Sequence, residues 1–280
     1  MKSLPAIPNL EILDLKDLKA HEEVDDSRVE RLMDHLREDR MLRNPPLVLP
    51  FEDSEGQFLI LDGATRVNAF DRLGIRHILA QVVDRRTHSV QVENWNHVLL
   101  GSHADAFLEK LQEDPGIVVS QLESERREKS PKDDPSRIQL ITADNSTYSI
   151  GFFEDDQGSE IQFLNRLVGI YGGLGRIERT SARGIQRLTG LYPNLCCLLL
   201  LPRYKLEDVL KASNAGEVFP MGFTRFIVSP RALRVNYELD RLRSSHPIET
   251  KREQLRAWLK MKINDRHLRF YAESTVLFDD

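Results

Sequence analysis

The chain is poor in cysteine, has no long apolar run and carries no excess of positive charge. Two cysteines occur in 280 residues, and they are neighbours, Cys196 and Cys197. Adjacent cysteines are badly placed to bridge one another, and no CxxC pair offers a redox or metal motif. Both precede the apolar residues 198–201, so two buried thiols are expected. No apolar stretch approaches the roughly 20 residues that cross a bilayer. The first residues, Met1-Lys2-Ser3-Leu4-Pro5, lack the apolar centre of a secretory leader, so the cytoplasm is the expected compartment. Lys and Arg number 39 against 44 Asp and Glu, a formal charge of -5, which excludes a global pull toward nucleic acid or an anionic membrane. There is no Ser-His-Asp signal, no histidine pair at metal spacing and no internal repeat. What remains is a globular composition, 40% hydrophobic and 30% charged, long enough for one large or two ordinary domains.

Residues 10–83 alternate strand and helix patterns. After a first strand and turn over 10–19, Asp25-Asp26-Ser27 offers an N-cap. Val29, Leu32, Met33 and Leu36 then make one apolar helical stripe. Asn44-Pro45-Pro46 stops that helix. A strand over 47–49, a turn over 53–56 and a returning strand over 58–61 follow. A second helix from about Thr65 carries Val67, Phe70 and Leu73 on one face and ends at Gly74; a strand over 78–83 closes the unit. Beyond it the pattern is less regular. Residues 90–100 are mixed and include Trp95 and His97. Residues 108–122 are predicted helical, and 123–135 are a charged, proline-punctuated loop or linker. Hairpins are predicted for 138–153 around Asp144-Asn145-Ser146 and for 226–237 around Ser229-Pro230. Helices are expected at 161–170, 206–212 and 252–263, and a last strand within 268–278. The run Tyr171-Gly172-Gly173-Leu174-Gly175-Arg176 reads as a helix end and turn, because it lacks the glycine spacing and preceding strand of a phosphate loop.

The residues that suggest chemistry begin at Leu61-Asp62-Gly63-Ala64-Thr65-Arg66. A buried strand entering a helix through an Asp-Gly turn presents free amides and a positive helix end, an anion site. Arg66 would add a charge-assisted fork and Thr65 a hydroxyl. Asp62 would hold a metal carried by phosphates or orient a nucleophile; alternatively it merely caps the helix. Glu22, in the connector before the first helix, would serve as a general base if desolvated; alternatively Glu22 and Glu23 only favour the helix start. Gly222-Phe223-Thr224-Arg225 suits a small carboxylate, or is a strand entry with an exposed arginine. Trp95, one of two tryptophans, is a candidate ligand contact or a core residue.

Together these pieces resemble the ParB/sulfiredoxin superfamily, through residues 59–66 and Leu73-Gly74. Within it they are most similar to the free-serine kinases. That likeness also includes His21-Glu22, Arg43-Asn44-Pro45, Trp95, His97, Ile177-Glu178-Arg179 and residues 218–226. The resemblance implies an α/β (α+β) chain. A ParB/sulfiredoxin-like nucleotide-binding domain over 1–88 would be followed by a mixed α/β domain over 89–280 that completes a serine site. It implies transfer of a phosphoryl group from ATP or ADP, with Mg2+, to the hydroxyl of free L-serine, for amino-acid or siderophore-precursor synthesis. Glu22 falls at the general base, with Asp62 as its catalytic and metal-holding partner. Asp62, Gly63, Ala64, Thr65 and Arg66 fall on the phosphate loop, and Trp95, Thr224 and Arg225 on serine-binding positions. Two letters depart from relatives: Thr65 replaces the histidine usual in the kinases, and Ala64 stands where sulfiredoxins need cysteine. The alternatives are a ParB-like DNA-binding regulator, for which 176–187 and 241–256 are the best basic segments, and a degenerate kinase that senses ligand.

Overall fold

The computed structural model describes residues 7–52, 54, 56–85, 89–122, 138–152 and 159–271. Along the chain run strands β1 (Leu10–Asp14) and β2 (Leu18–Lys19), helix α1 (Asp26–Asp39), strands β3 (Met41–Leu42), β4 (Leu47–Pro50) and β5 (Phe58–Asp62), helix α2 (Ala64–Arg72) and strand β6 (His77–Val82). Next come β7 (Ser89–Asn94), β8 (Asn96–Leu100), α3 (Ala104–Gln112), β9 (Ile117–Gln121), β10 (Ile138–Thr142), β11 (Thr147–Phe152), α4 (Glu160–Gly172) and β12 (Arg176–Thr180). The last are α5 (Gln186–Thr189), β13 (Leu195–Leu200), α6 (Leu206–Asn214), β14 (Thr224–Ser229), β15 (Tyr237–Glu238), α7 (Leu239–Arg243) and α8 (Ile248–Asn264). The fold is mixed α/β. No helix among the described residues is long and apolar enough to cross a membrane.

Two compact units share these elements. The first comprises Met1–Lys19, Val24–Ser89 and Val228–Asp280; the second comprises Ala20–Glu23 and Val90–Ile227. One crossing falls beside the boundary expected at 88/89. The other crossings differ from that expectation: the segment from Val228 packs with the first unit, and Ala20–Glu23 with the second. Neither reassignment has a local sequence signal, because both follow from long-range pairing.

The first unit has a sheet of order β1-β6-β4-β5-β2. β6, the strand that pairs with both β1 and β4, is buried at every residue, which is why its sequence does not alternate. α1 starts where Asp25 accepts hydrogen bonds from the Ser27 and Arg28 amides, at 2.8 and 3.2 Å. Its stripe packs inward with Ile12, Phe70, Ile78, Leu79 and Tyr237. α8 joins the same core through Leu255, and Arg252 Nε donates to the Ile12 carbonyl at 3.1 Å. Lys251 is 2% exposed. Its ammonium donates to Leu242 O at 2.6 Å and His77 Nδ1 at 3.0 Å, the pairing that a buried cation requires.

The second unit is built on a six-stranded antiparallel sheet, β12-β8-β13-β10-β11-β9. Cys196 and Cys197 lie on β13 as buried free thiols, as expected. The hairpin around residue 145 also forms, with Asn145 at φ 69 in the left-handed region that asparagine tolerates. α4 starts at a capping box between Ser159 and Gln162.

Two expectations fail. Residues 108–122 are not one helix: α3 ends at Gln112, Pro115-Gly116 breaks the chain, and β-branched Ile117, Val118 and Val119 open β9. The second hairpin does not form either. β14 pairs with β7, and Tyr237 pairs with Leu42 across β15 and β3. The intervening segment is instead held by the fully buried Gln81, which donates to Pro230 O at 2.9 Å and accepts from Ala232 N at 2.8 Å. The expected turn at Asp53 and Glu55, the charged segment 123–135, Phe153 and the last strand over 272–278 lie outside the described residues; residues 268–271 have no regular structure.

The Lys251–His77 pair gives the first unit a pH dependence. Burial, then the adjacent Lys251 charge, holds the His77 pKa below its usual value. The folded chain therefore binds this proton less readily than the unfolded one. The stabilisation is complete above the unfolded value of about 6.5 and is lost as pH falls below it. Urea midpoints at pH 7 and pH 5 should differ more for the wild type than for His77→Gln, whose amide oxygen can still accept from Lys251. Equal differences would assign the acid sensitivity to other groups.

Candidate active site

In the first unit the feature is the junction of β5 and α2. Gly63 is the N-cap of α2, at φ 97. A Cβ there would stand 2.8 Å from Pro46 Cβ and 3.0 Å from the Arg66 guanidinium carbon, so both backbone conformation and space demand glycine. No side chain caps the helix. The first-turn amides of α2 have no intrahelical acceptor and face outward with the positive end of the helix dipole.

Asp62 does not cap the helix. It accepts from Arg66 Nη2 at 3.2 Å and from Arg231 Nη2, and both bonds go to Oδ2. Burial pushes the Asp62 carboxyl up, but Arg66 and Arg231 outweigh it and hold it below the usual range. The Arg66 guanidinium is also anchored to the Asn44 and Pro45 carbonyls, at 2.6 and 3.2 Å. Arg66 therefore braces the loop as well as charging it. Arg231, which the sequence reading passed over, adds a second cation, brought in by the segment that Gln81 clamps. Thr65 lies in the first turn of α2, half-buried. Among the described residues no group of three or more His, Cys, Asp or Glu could hold a metal ion.

In the second unit the feature is the Glu22 carboxylate. Residues 20–23 run beside Phe219: Phe219 N donates to His21 O at 2.8 Å and Glu23 N to Phe219 O at 2.9 Å. This pairing aims Glu22 at the turn before β14. Glu22 Oε1 accepts from the Thr224 amide and the Thr224 hydroxyl, both at 2.5 Å, and Oε2 accepts from the Gly222 amide at 2.8 Å. Because the Thr224 hydroxyl donates to Glu22, it accepts from His21 Nε2, 2.6 Å away. Burial pushes the Glu22 carboxyl up. The neighbouring His21 and the Thr224 donors overcome this and hold it below the ordinary value, so the half-buried acid is a carboxylate at neutral pH. Glu23, the competing acid, is exposed.

Trp95 and Arg225 belong to the same cluster. The Trp95 amide donates to Phe223 O at 2.9 Å, and the Arg225 guanidinium lies 4.7 Å from the Trp95 ring centroid. Arg225 Nη1 also reaches Glu93 Oε2 at 3.4 Å. The second unit thus brings together Glu22, Trp95, Thr224 and Arg225, and the first unit holds Asp62, Gly63, Ala64, Thr65 and Arg66 on one turn. Four contributors had no role of their own in the sequence: His21 and Gly222, quoted only as parts of longer stretches, and Arg231 and Glu93, not singled out at all. His21 was signalled by its place beside Glu22 and Gly222 by its place before Phe223-Thr224. Arg231 and Glu93 carry no local signal.

No family model matches the chain. It is similar to the ATP-dependent L-serine kinase SbnI of Staphylococcus aureus, at 24% identity over 278 residues covering 97% of each chain. It is also similar to the ATP-dependent L-serine kinase of Desulfurococcus mucosus, at 30% identity over 90 residues, 32% of this chain and 35% of that one. Among solved structures, a C-terminally truncated SbnI from Staphylococcus aureus superposes with TM-score 0.72 and 21% identity, over 92% of this chain and 97% of that one. A free serine kinase variant in complex with AMP superposes with TM-score 0.70 and 16% identity, over 84% and 94%. The chain therefore has the fold of the free-serine kinases and is similar in sequence to one of them over nearly its whole length.

Proposed function

We propose that the chain transfers the terminal phosphoryl group of ATP to the hydroxyl of free L-serine, giving O-phospho-L-serine. The observation that carries this reading is a half-buried carboxylate, Glu22, kept ionised by a ring of donors. A general base must be both desolvated and unprotonated, and this environment supplies both conditions. The full-length similarity to a chain named as an ATP-dependent L-serine kinase supports the same reaction. So do related structures of a free serine kinase with AMP and with ADP. Of the two basic segments, 176–187 forms a strand and the start of a four-residue helix, and 241–256 is helical but has Lys251 buried and Arg252 bonded to the Ile12 carbonyl.

Each unit takes one substrate. The amides at the start of α2, with Arg66 and Arg231, receive nucleotide phosphates. Arg225 receives the serine carboxylate, and Trp95 holds the guanidinium face. Thr224, expected to touch serine, spends its hydroxyl and amide on Glu22; its role is to hold the base. Oε1 of Glu22 already accepts two hydrogens, whereas Oε2 accepts one and has a lone pair left for the serine hydroxyl proton. As that proton moves to Oε2, the serine oxygen bonds to the γ-phosphorus, the β–γ bridging bond breaks and ADP leaves. Such transfer depends mainly on positioning and charge, so few protein groups are needed.

Magnesium fits the first unit through one carboxylate. Both arginines bond Oδ2 of Asp62, and Oδ1 takes neither bond, the single protein ligand that a phosphate-borne Mg2+ commonly uses. When bound, the ion neutralises phosphate charge.

Incubation with L-serine, ATP and Mg2+ should yield phosphoserine by mass spectrometry, and absence of product would overturn the reading. Glu22→Gln should lower kcat by about 10²–10⁴-fold with the fold retained. The acid limb of kcat/KM should lie below neutrality, because Glu22 titrates below its ordinary value in the folded chain. Gly63→Ala should weaken ADP binding in calorimetry while serine binding persists. It should also cost about 1–3 kcal/mol of stability from the left-handed backbone and the Pro46 contact.

A further inference from the structure

Behind the Glu22 cluster, inside the second unit, lies a buried pair that the reaction above does not use. His97 on β8 is 1% exposed and Tyr171 on α4 is 0% exposed. The Tyr171 hydroxyl stands 2.6 Å from His97 Nδ1, and His97 Nε2 stands 3.3 Å from the Gly222 carbonyl. A carbonyl can only accept, so Nε2 carries the ring hydrogen. Nδ1 is then the acceptor, and the Tyr171 hydroxyl donates to it. Burial pushes the His97 pKa down to about 4, so the ring stays neutral and keeps this tautomer across the working range. Phe107 packs edge-on against Tyr171, with ring centroids 5.7 Å apart, and steadies its orientation.

The Gly222 carbonyl belongs to the peptide linking residues 222 and 223. The peptides on either side of it supply the two amides that hold Glu22. Along this turn Gly222 N and Thr224 N go to Glu22, Gly222 O goes to His97, and Phe223 O goes to Trp95 N. Gly222 sits at φ 73, and a Cβ there would overlap the Arg179 guanidinium. Glycine is therefore required, and glycine is the residue least able to hold its own conformation. The orientation of the turn must come from outside it, and His97 contacts its central carbonyl.

We propose that His97, oriented by Tyr171, is a positioning residue for phosphoryl transfer: it holds the 222–224 turn so that the Gly222 and Thr224 amides face the Glu22 carboxylate. This rests on Glu22 being the general base. The groups that face Glu22 are His21 from its own segment, Thr224 from β14 and His97 from β8, and the Arg179 guanidinium from β12 lies beside Gly222 and His97. Tyr171 from α4 stands behind His97, with Cys197 of β13 near its hydroxyl. When His97 no longer holds the turn, the amide donors to Glu22 weaken while burial persists. The carboxyl then titrates at higher pH.

The test compares wild type, His97→Phe, which removes the ring donor, and Tyr171→Phe, which removes one hydroxyl. Carbon-13 titration of the Glu22 side chain, assigned by the resonance missing in Glu22→Gln, needs no turnover. Both variants should show Glu22 titrating at higher pH than wild type. The acid limb of kcat/KM should move the same way, and kcat should fall about 10–100-fold with KM for ATP unchanged. A merely structural role would lower the thermal midpoint and leave the Glu22 titration where it was, which would overturn the proposal. Should His97→Phe fail to fold, Tyr171→Phe carries the same comparison. A wild type that makes no phosphoserine would sink the kinase reading, while the Glu22 titration would still decide the positioning role.

Discussion

The arrangement depends on one constraint: a carboxylate removed from water must be given donors or it will take up a proton. Glu22 is supplied with two backbone amides, a threonine hydroxyl and a nearby histidine. The amides and the hydroxyl come from a turn about 200 residues further along the chain. Fixing that turn in place occupies much of the second unit. The pairing of residues 20–23 beside Phe219, the hold of Trp95 on Phe223 and the glycine at 222 all serve the same short stretch. The cluster is a set of backbone hydrogen bonds with one acid at its focus, more than a list of catalytic side chains.

The β5–α2 turn of the first unit, the phosphate loop of the proposed reading, solves the opposite problem. It must present positive potential without leaving bare cations in a partly buried place. Gly63 lets the backbone turn sharply into α2, so the amides are exposed without a side chain in the way. Asp62 sits between two arginines and balances them, and the Asn44 and Pro45 carbonyls take the rest of Arg66. The amide at position 65 is supplied by the helix whatever side chain it bears, and Arg231 provides charge from elsewhere in the unit.

What could be read from the sequence was local. The α1 stripe with its Asp25 cap, the β5 turn into α2 and the hairpin at residue 145 each carry their instructions within about ten residues, by periodicity, capping and turn chemistry. Glu22, Asp62, Trp95, Thr224 and Arg225 could be raised as candidates from residue type and local context, each beside a plainer alternative, and only the family resemblance joined them into one site; in the structure Thr224 bonds Glu22 through its amide and hydroxyl. One failure, the helix expected over 108–122, overlooked the local break at Pro115-Gly116; the other was of pairing. β14 could have closed a hairpin with the residues after it, but β7 took that edge. Gln81, whose two hydrogen bonds shape the segment carrying Arg231, is an unremarkable polar letter in an apolar strand. Nothing near residue 231 marks it as a partner of residue 62, because a salt bridge closed by tertiary structure leaves no trace in either neighbourhood.

The interleaving of the two units bears on how the molecule comes into being. The second unit owns residues 20–23 near the start and 90–227 later, with residues of the first unit on both sides. Synthesis delivers Glu22 about 200 residues before the Gly222 and Thr224 amides that hold it. Until that turn exists the acid lacks these donors. A fragment cut at residue 88 would therefore part Glu22 from the Gly222 and Thr224 donors and leave only His21 beside it.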